Sequence, residues 1–223
     1  MTTTPSTAAA DITPAPPRAV VTYRDDGPLA KAMGLLLSGQ IPPLPPVIAG
    51  AFVMGALLLA GTAGRGDLAM FAPAVLLLLA GSGAAHDHDG RLDWLVPPIL
   101  RLTEYGFVAF VGFGRSVPPV LIFALLGALA FHHYDVVYRV RQRVQPPSWL
   151  AAVGLGWDGR LLVIGVAGLL DAATMVFVLL AGYLWGVFGW ESVTCWGAVP
   201  GGAPSPREGP AEAVPAAGQG SRD

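Results

Sequence analysis

Charge is scarce in this chain. Only 13% of its 223 residues are Asp, Glu, Lys or Arg, against 53% hydrophobic, a balance far outside that of an ordinary soluble domain. That balance predicts an integral membrane protein. With a net charge of −2 there is no basic excess to hold a polyanion, so no nucleic-acid partner is expected. The one cysteine, Cys195, has no second cysteine to pair with and leaves the redox compartment unread. Familiar catalytic templates are missing too: there is no P-loop, no H-E-x-x-H and no G-x-S-x-G. The serines are few and none stands beside a base. Period-two alternation is also lacking, which excludes a β-barrel.

What the chain has in quantity is long apolar runs. Four lie at about 46–63, 68–85, 94–114 and 117–134, each near the roughly 20 residues that a spanning helix needs. A fifth, 161–189, would be roughly 43 Å long as one helix, more than a hydrocarbon core of about 30 Å. It must tilt, protrude or break. Trp149 to Gly156 leaves a short sixth segment open, and with it the side of the C-terminus. The predicted fold is all-α, a polytopic helical membrane bundle of five to six transmembrane helices preceded by an interfacial amphipathic helix. That helix is read from "LAKAMGLLLSGQ", which puts Leu29, Met33 and Leu36 on one face before "IPPLPP" stops it. The flanks, 1–28 and 197–223, are rich in Thr, Pro, Ala and Gly and are expected to be disordered tails around a 29–196 membrane domain. The first lacks the basic start and apolar core of a signal peptide.

Lysine and arginine positions set the orientation. One side carries Arg18, Arg24, Lys31, Arg91, Arg139, Arg141, Arg143 and Arg160, and the other only Arg65 and Arg115. By the positive-inside rule the N-terminus faces the cytoplasm, in the plasma membrane. Trp185, Trp190 and Trp196 are expected as anchors at the far interface, and the glycines of the last run as sites of close helix approach.

The unusual polar residues gather at the cytoplasmic ends of the spans. "HDHDGRLDWLVPPILRLTEYG" brings His86, Asp87, His88, Asp89, Arg91 and Asp93, with Arg101 and Glu104 deeper. "FHHYDVVYRVRQR" brings His132, His133 and Asp135, with Arg139 on the same helical face as His132 and Asp135. Arg160 opens the last run and Asp171 follows 11 residues later, about 16 Å along a helix. Intramembrane charge costs about 2.5–3.5 kcal/mol on insertion scales, so it faces a partner or a wet cavity. Arg101 and Glu104 can pair locally; Asp171 has no basic residue within a turn. Arg141 and Arg143 fit the charge bias alone. "HDHDG" has metal-loop composition without a defined ligand set, and Asp93 suits a helix N-terminus whether or not it binds metal.

The segments "LLLSGQIPPLPP", "GRLDWLVPPILRLTEYG", "AFHHYDVVYRVRQR" and "WDGRLL" resemble an uncharacterised actinobacterial membrane domain of unknown function. The resemblance covers roughly residues 29–196 and implies a setting beside CDP-alcohol phosphatidyltransferase and nucleotidyltransferase modules, in phospholipid metabolism. The layout is also similar to the CDP-alcohol phosphotransferases, but their D-x-x-D-G-x-x-A-R-x8-G-x-x-x-D-x-x-x-D signature is broken here. His86 stands for the first Asp, Asp93 and Trp94 stand for Ala and Arg, and the later aspartates are missing.

Three functions follow as expectations. The first is a transferase on a phosphorylated lipid, polyprenyl or CDP-alcohol substrate. It would use His132, His133, Asp135 and Glu104 for catalysis, Arg101, Arg139 and Arg160 for phosphate, and Asp93, Asp135 and Asp171 for Mg²⁺ or Mn²⁺. The second is a non-catalytic partner that binds a lipid headgroup or a phosphatidyltransferase. The third is a small proton- or ion-coupled transporter using Glu104 and Asp171. Membrane lipid is the common partner, and a homodimer is compatible with each.

Overall fold

The computed structural model describes residues 17–62 and 66–197, with side chains from Val20 onward. Its described residues form helices and turns only. α1 (Pro17–Arg24) and α2 (Pro28–Leu36) precede α3 (Leu44–Thr62). α4 (Gly66–Ala69) and α5 (Ala72–Ala80) follow, then α6 (Val96–Gly114) and α7 (Pro119–Arg141). α8 (Leu150–Val153), α9 (Gly156–Leu169) and α10 (Ala173–Gly197) complete the described elements.

Proline opens several of these helices. Pro28, Pro97 and Pro119 sit in the first turns of α2, α6 and α7, where a missing N–H costs nothing and φ is already helical. The stops use another device. Ser116, Arg143 and Asp171 adopt positive φ of 53°, 61° and 52°, and in each case the next residue's N–H returns to a carbonyl five residues back: Val117 to Gly112, Val144 to Arg139, Ala172 to Ala167.

The last of these turns resolves the overlong run. The stretch 161–189 is not one helix: it breaks at Asp171, and α10 returns along the bundle. Among the described residues, five segments are long and apolar enough to cross a membrane: Leu44–Thr62, Asp93–Gly114, Pro119–Arg141, Leu150–Leu169 and Ala173–Gly197. The expected span at 68–85 is a shorter apolar segment, Asp67–Gly83, interrupted before Pro73 in the first turn of α5. The five long segments accord with the expected five to six, and the C-terminal end of α10 lies beside that of α7, where Glu191 meets Arg139. Trp196 consequently belongs to the polar end and not to the far interface, since its Nε1 donates to Asp135.

α9 is the central post. It buries Trp157, Asp158, Arg160, Leu161 and Ile164 and packs on α5, α6, α10 and α2. Around it a continuous apolar core includes Leu76, Leu100, Phe107, Ile122, Leu125, Phe177 and Leu184. α2 lies across one end with its small residues Ala30 and Gly34 inward, while Leu35 and Leu36 are 71% and 78% exposed.

The expected tail boundary at residue 28 is corrected by the structure. Residues 17–27 form α1 and a turn whose Arg24, Asp25 and Asp26 are buried, and Pro28 opens α2, so the folded unit begins upstream of Leu29. Residues 1–16 and 198–223 lie outside the described residues, as does Arg65.

Candidate functional site

Two short sequences from opposite ends of the chain interlock at the end of the bundle that carries α1 and α2. They are Arg24-Asp25-Asp26-Gly27 and Trp157-Asp158-Gly159-Arg160. Arg160 Nη2 donates to Asp25 Oδ2 at 2.8 Å, Trp157 Nε1 to Asp26 Oδ1 at 2.8 Å, and Gly27 N to Asp158 Oδ1 at 2.6 Å. Asp158 Oδ2 also accepts from the backbone of Leu29 and Ala30. A carboxylate from α9 thus caps α2, whose own N-cap residue, Gly27, has no side chain to offer. Glycine is required here: a Cβ on Gly156, at φ +58°, would stand 2.2 Å from Gly27 N, a contact that only two bare backbones avoid.

Every nitrogen of Arg160 has a partner. Its Nε donates to Glu104 Oε1 at 2.7 Å and its Nη1 to Gly154 O at 3.0 Å. Glu104 Oε2 takes Arg101 Nη1 at 3.3 Å, and Arg101 Nη2 donates to Tyr23 O at 2.6 Å. Over this pair of carboxylates lie the two histidines. His132 Nε2 is 3.3 Å from Asp25 Oδ1, out of hydrogen-bond alignment, and its ring stacks on Phe188 at 3.9 Å. His133 Nδ1 is 2.6 Å from the Tyr105 hydroxyl, with Nε2 3.7 Å from both Asp25 Oδ2 and Glu104 Oε2.

Asp25 holds its position by a left-handed backbone, φ 54°. Burial alone would raise its pKa, but the Arg160 guanidinium and His132 beside it hold the carboxyl well below the usual range. Arg24 binds outward from it, donating to Asp26 Oδ2 at 2.7 Å and Ala80 O at 3.0 Å, with Nη1 3.2 Å from His88 Nε2. Burial pushes the His88 pKa down, and Arg24 adds to that. Since a guanidinium only donates, Nε2 of His88 is the acceptor nitrogen.

Two cavities flank Asp25. The larger, about 550 Å³, runs between α1, α2, α7 and the 146–151 segment, with Asp25, Asp26 and His132 among mostly apolar neighbours such as Val21, Leu35, Val136 and Leu150, and Lys31 also on its wall. The smaller, about 290 Å³, is lined by Tyr23, Trp94, Pro97, Arg101 and His133, again with Asp25. The larger falls in the size range of small-molecule sites.

The expected site residues are thereby sorted. Glu104, His132, His133, Arg101 and Arg160 come together around Asp25. Arg139 and Asp135 form a separate node: Arg139 Nη1 and Nη2 meet both oxygens of Glu191 at 2.6 and 2.7 Å, and Nη2 also meets Asp135 Oδ2 at 2.7 Å. Asp93 accepts from Gly90 N and stays in its own turn. Asp171 is not inside a span. Its side chain is 83% exposed and pairs with Arg115 at 2.9 Å. From Asp93 to Arg115 is the whole of α6, about 33 Å at about 1.5 Å per residue, so Asp93, Asp135 and Asp171 do not converge on one ion. Among the described residues no three His, Cys, Asp or Glu side chains are grouped to hold a metal. In the "HDHDG" loop, His88 turns inward to Arg24.

Arg24, Asp25, Asp26, Asp158 and Glu191 were not singled out from the sequence. A signal existed for the first three: "YRDDGP" is a cluster of charge closed by a helix-opening Gly-Pro, inside a stretch of Thr, Pro and Ala.

Fold and site together define a polytopic helical membrane protein with a buried ionic network at one end. The chain belongs to a family of unknown function, DUF5941, whose model matches residues 15–213. That match takes in α1 and the Arg24–Gly27 turn. No curated protein and no solved structure matches the chain.

Proposed function

We propose that this protein is a lipid-binding membrane domain that draws the head of a membrane lipid into the larger cavity. The observation that carries the reading is the shape and lining of that cavity: an apolar wall from Val21, Leu35, Val136 and Leu150, closed on the polar pair Asp25 and His132. An amphipathic molecule matches both parts, its chains lying on the wall and its head at the polar pair. The polar end carries Arg24, Lys31, Arg91, Arg139, Arg141, Arg143 and Arg160, whereas Arg115 stands at the other end, so we place the polar end in the cytoplasm of a cell whose plasma membrane holds the protein.

A photoreactive phospholipid incorporated into proteoliposomes tests this. Adducts should map to Leu35, Val136 and Leu150, and Ala151→Trp, which fills the cavity, should remove them. Adducts spread evenly over the outer faces of the helices, unchanged by Ala151→Trp, would overturn the reading. Orientation is read from Cys195, the one cysteine, near the end of α10. A membrane-impermeant maleimide should label it in permeabilised cells and not in intact ones.

Group transfer on a phosphorylated lipid or CDP-linked substrate is a second reading, favoured by Asp25 standing between two cavities with a histidine on each side. Its phosphate clamp is weakened by the geometry, because Arg139 and Arg160 spend their guanidinium groups on carboxylates. The residues expected to hold Mg²⁺ or Mn²⁺, Asp93, Asp135 and Asp171, are apart, each with its own partner. Transport has less support. Between Tyr105 and Arg115 on α6, and over the matching turns of the other helices, there is no Asp, Glu, His, Lys or Arg. That leaves about 15 Å of core without an ionisable relay.

A further inference from the structure

We infer that the group bound at Asp25 and His132 is a hydroxyl, so that the ligand is a membrane lipid with a polyol head; this rests on the lipid reading above. Three facts carry it. His132 is 2% exposed and its Nε2 has no hydrogen-bond partner, although it lines the larger cavity. Buried polar atoms rarely go unpaired, so an orphan at a cavity wall marks a place for a ligand atom. Asp25 has one oxygen, Oδ2, committed to Arg160, and the other, Oδ1, 3.3 Å from His132 Nε2 without an aligned bond.

The second fact is the mixed demand of that pair. A carboxylate oxygen can only accept, and an imidazole nitrogen facing it is relieved most directly by an acceptor for its proton. A hydroxyl does both at once, donating to Asp25 Oδ1 and accepting from His132 Nε2. An ammonium can only donate, and a fully ionised phosphate oxygen can only accept. Neither satisfies both atoms.

The third fact is charge. Asp25, Asp26 and Glu104 are each paired within the network, to Arg160, Arg24 and Arg101 with Arg160, while Asp158 is held by backbone N–H groups and faces α2. A site already balanced gains little from a charged head and would have to desolvate it. A neutral hydroxyl carries no such cost. Lys31, on the cavity wall and more exposed than these groups, is where the lipid's own phosphate finds a cation.

The test uses the full chain in detergent, offered an equimolar mixture of phosphatidylglycerol, phosphatidylpropanol and phosphatidylethanolamine with identical acyl chains, the retained lipid being counted by mass spectrometry. Phosphatidylpropanol has the charge and nearly the length of phosphatidylglycerol but no head hydroxyl. The wild type should retain phosphatidylglycerol about five- to tenfold over each of the others, the scale of one or two hydrogen bonds. His132→Phe, which keeps the stack on Phe188, should still retain lipid with that preference gone. Ala151→Trp should retain none.

If the wild type keeps all three lipids in the proportions offered and Ala151→Trp releases them, the hydroxyl inference fails and the lipid reading stands. If wild type and Ala151→Trp retain the same amounts, the lipid reading itself fails. The comparison of the two anionic lipids needs only the wild type, so it decides the matter even if His132→Phe does not fold.

Discussion

The two ends of this bundle handle charge in opposite ways. At one end Arg115 meets Asp67 at 3.5 Å and Asp171 at 2.9 Å with both carboxylates more than four-fifths exposed. At the other, Arg160 and Arg139 meet four carboxylates with almost no exposure on either side. Exposed pairs are screened and contribute about 0–1 kcal/mol. Buried ones are a commitment: the charges are costly to bring in, and costlier still to leave single. The same ionic contact is therefore an accessory at the loop end and a structural requirement at the cavity end.

Removing Arg160 is the sharpest way to break that contrast. Arg160→Met leaves Asp25 without its guanidinium and Glu104 with only the longer contact to Arg101, and a loss of about 3–5 kcal/mol is expected, seen as failure to withstand purification or as a large drop in thermal midpoint. The Arg139 node offers a cleaner separation. Arg139→Met alone should destabilise by a similar amount, because Glu191 and Asp135 lose their cation, whereas Arg139→Met with Glu191→Leu and Asp135→Asn, which removes both carboxylates, should recover most of the loss. If the triple variant is as unstable as the single, the cost comes from packing and not from stranded charge.

A smaller effect is expected from pH. His88 has a folded pKa below its ordinary 6.5, so the unfolded chain takes up a proton that the folded one refuses. Stability should then fall as pH is lowered through about 6.5, and His88→Gln should flatten that slope in a series of melting curves. Asp25 acts in a lower window. Its folded pKa lies below the ordinary 3.8, so its contribution is complete above that value and is lost as pH falls toward the folded pKa. The least effect belongs to the exposed end, where Arg115→Ala should change stability by less than about 1 kcal/mol, and 0.5 M salt should erase the difference.

How far the site could be read in advance differed residue by residue. Glu104, Arg101, His132, His133 and Arg160 stood out because charge inside an apolar run is rare and costly, and the structure does gather them. Asp171 stood out for the same reason and misled. Its neighbours in sequence are apolar, but a left-handed turn delivers it to the surface beside Arg115, a partner 56 residues away in the chain. Asp25 and Asp26 carried the opposite error. They lie in a stretch whose composition resembles a tail, and composition over a window dilutes two buried aspartates among threonines and prolines.

The sequence by itself determined the solvent and the period. Runs of apolar residues about a bilayer thick require helices, because a backbone in hydrocarbon must satisfy its own hydrogen bonds, and prolines with polar breaks mark where those helices begin and end. What only the tertiary structure decided was the partner of each charge. Asp25 with Arg160, Asp26 with Trp157, and Arg139 with Glu191 are separated by 135, 131 and 52 residues. No local pattern encodes such pairings. They follow from how the helices pack, which places two otherwise unremarkable tetrapeptides face to face.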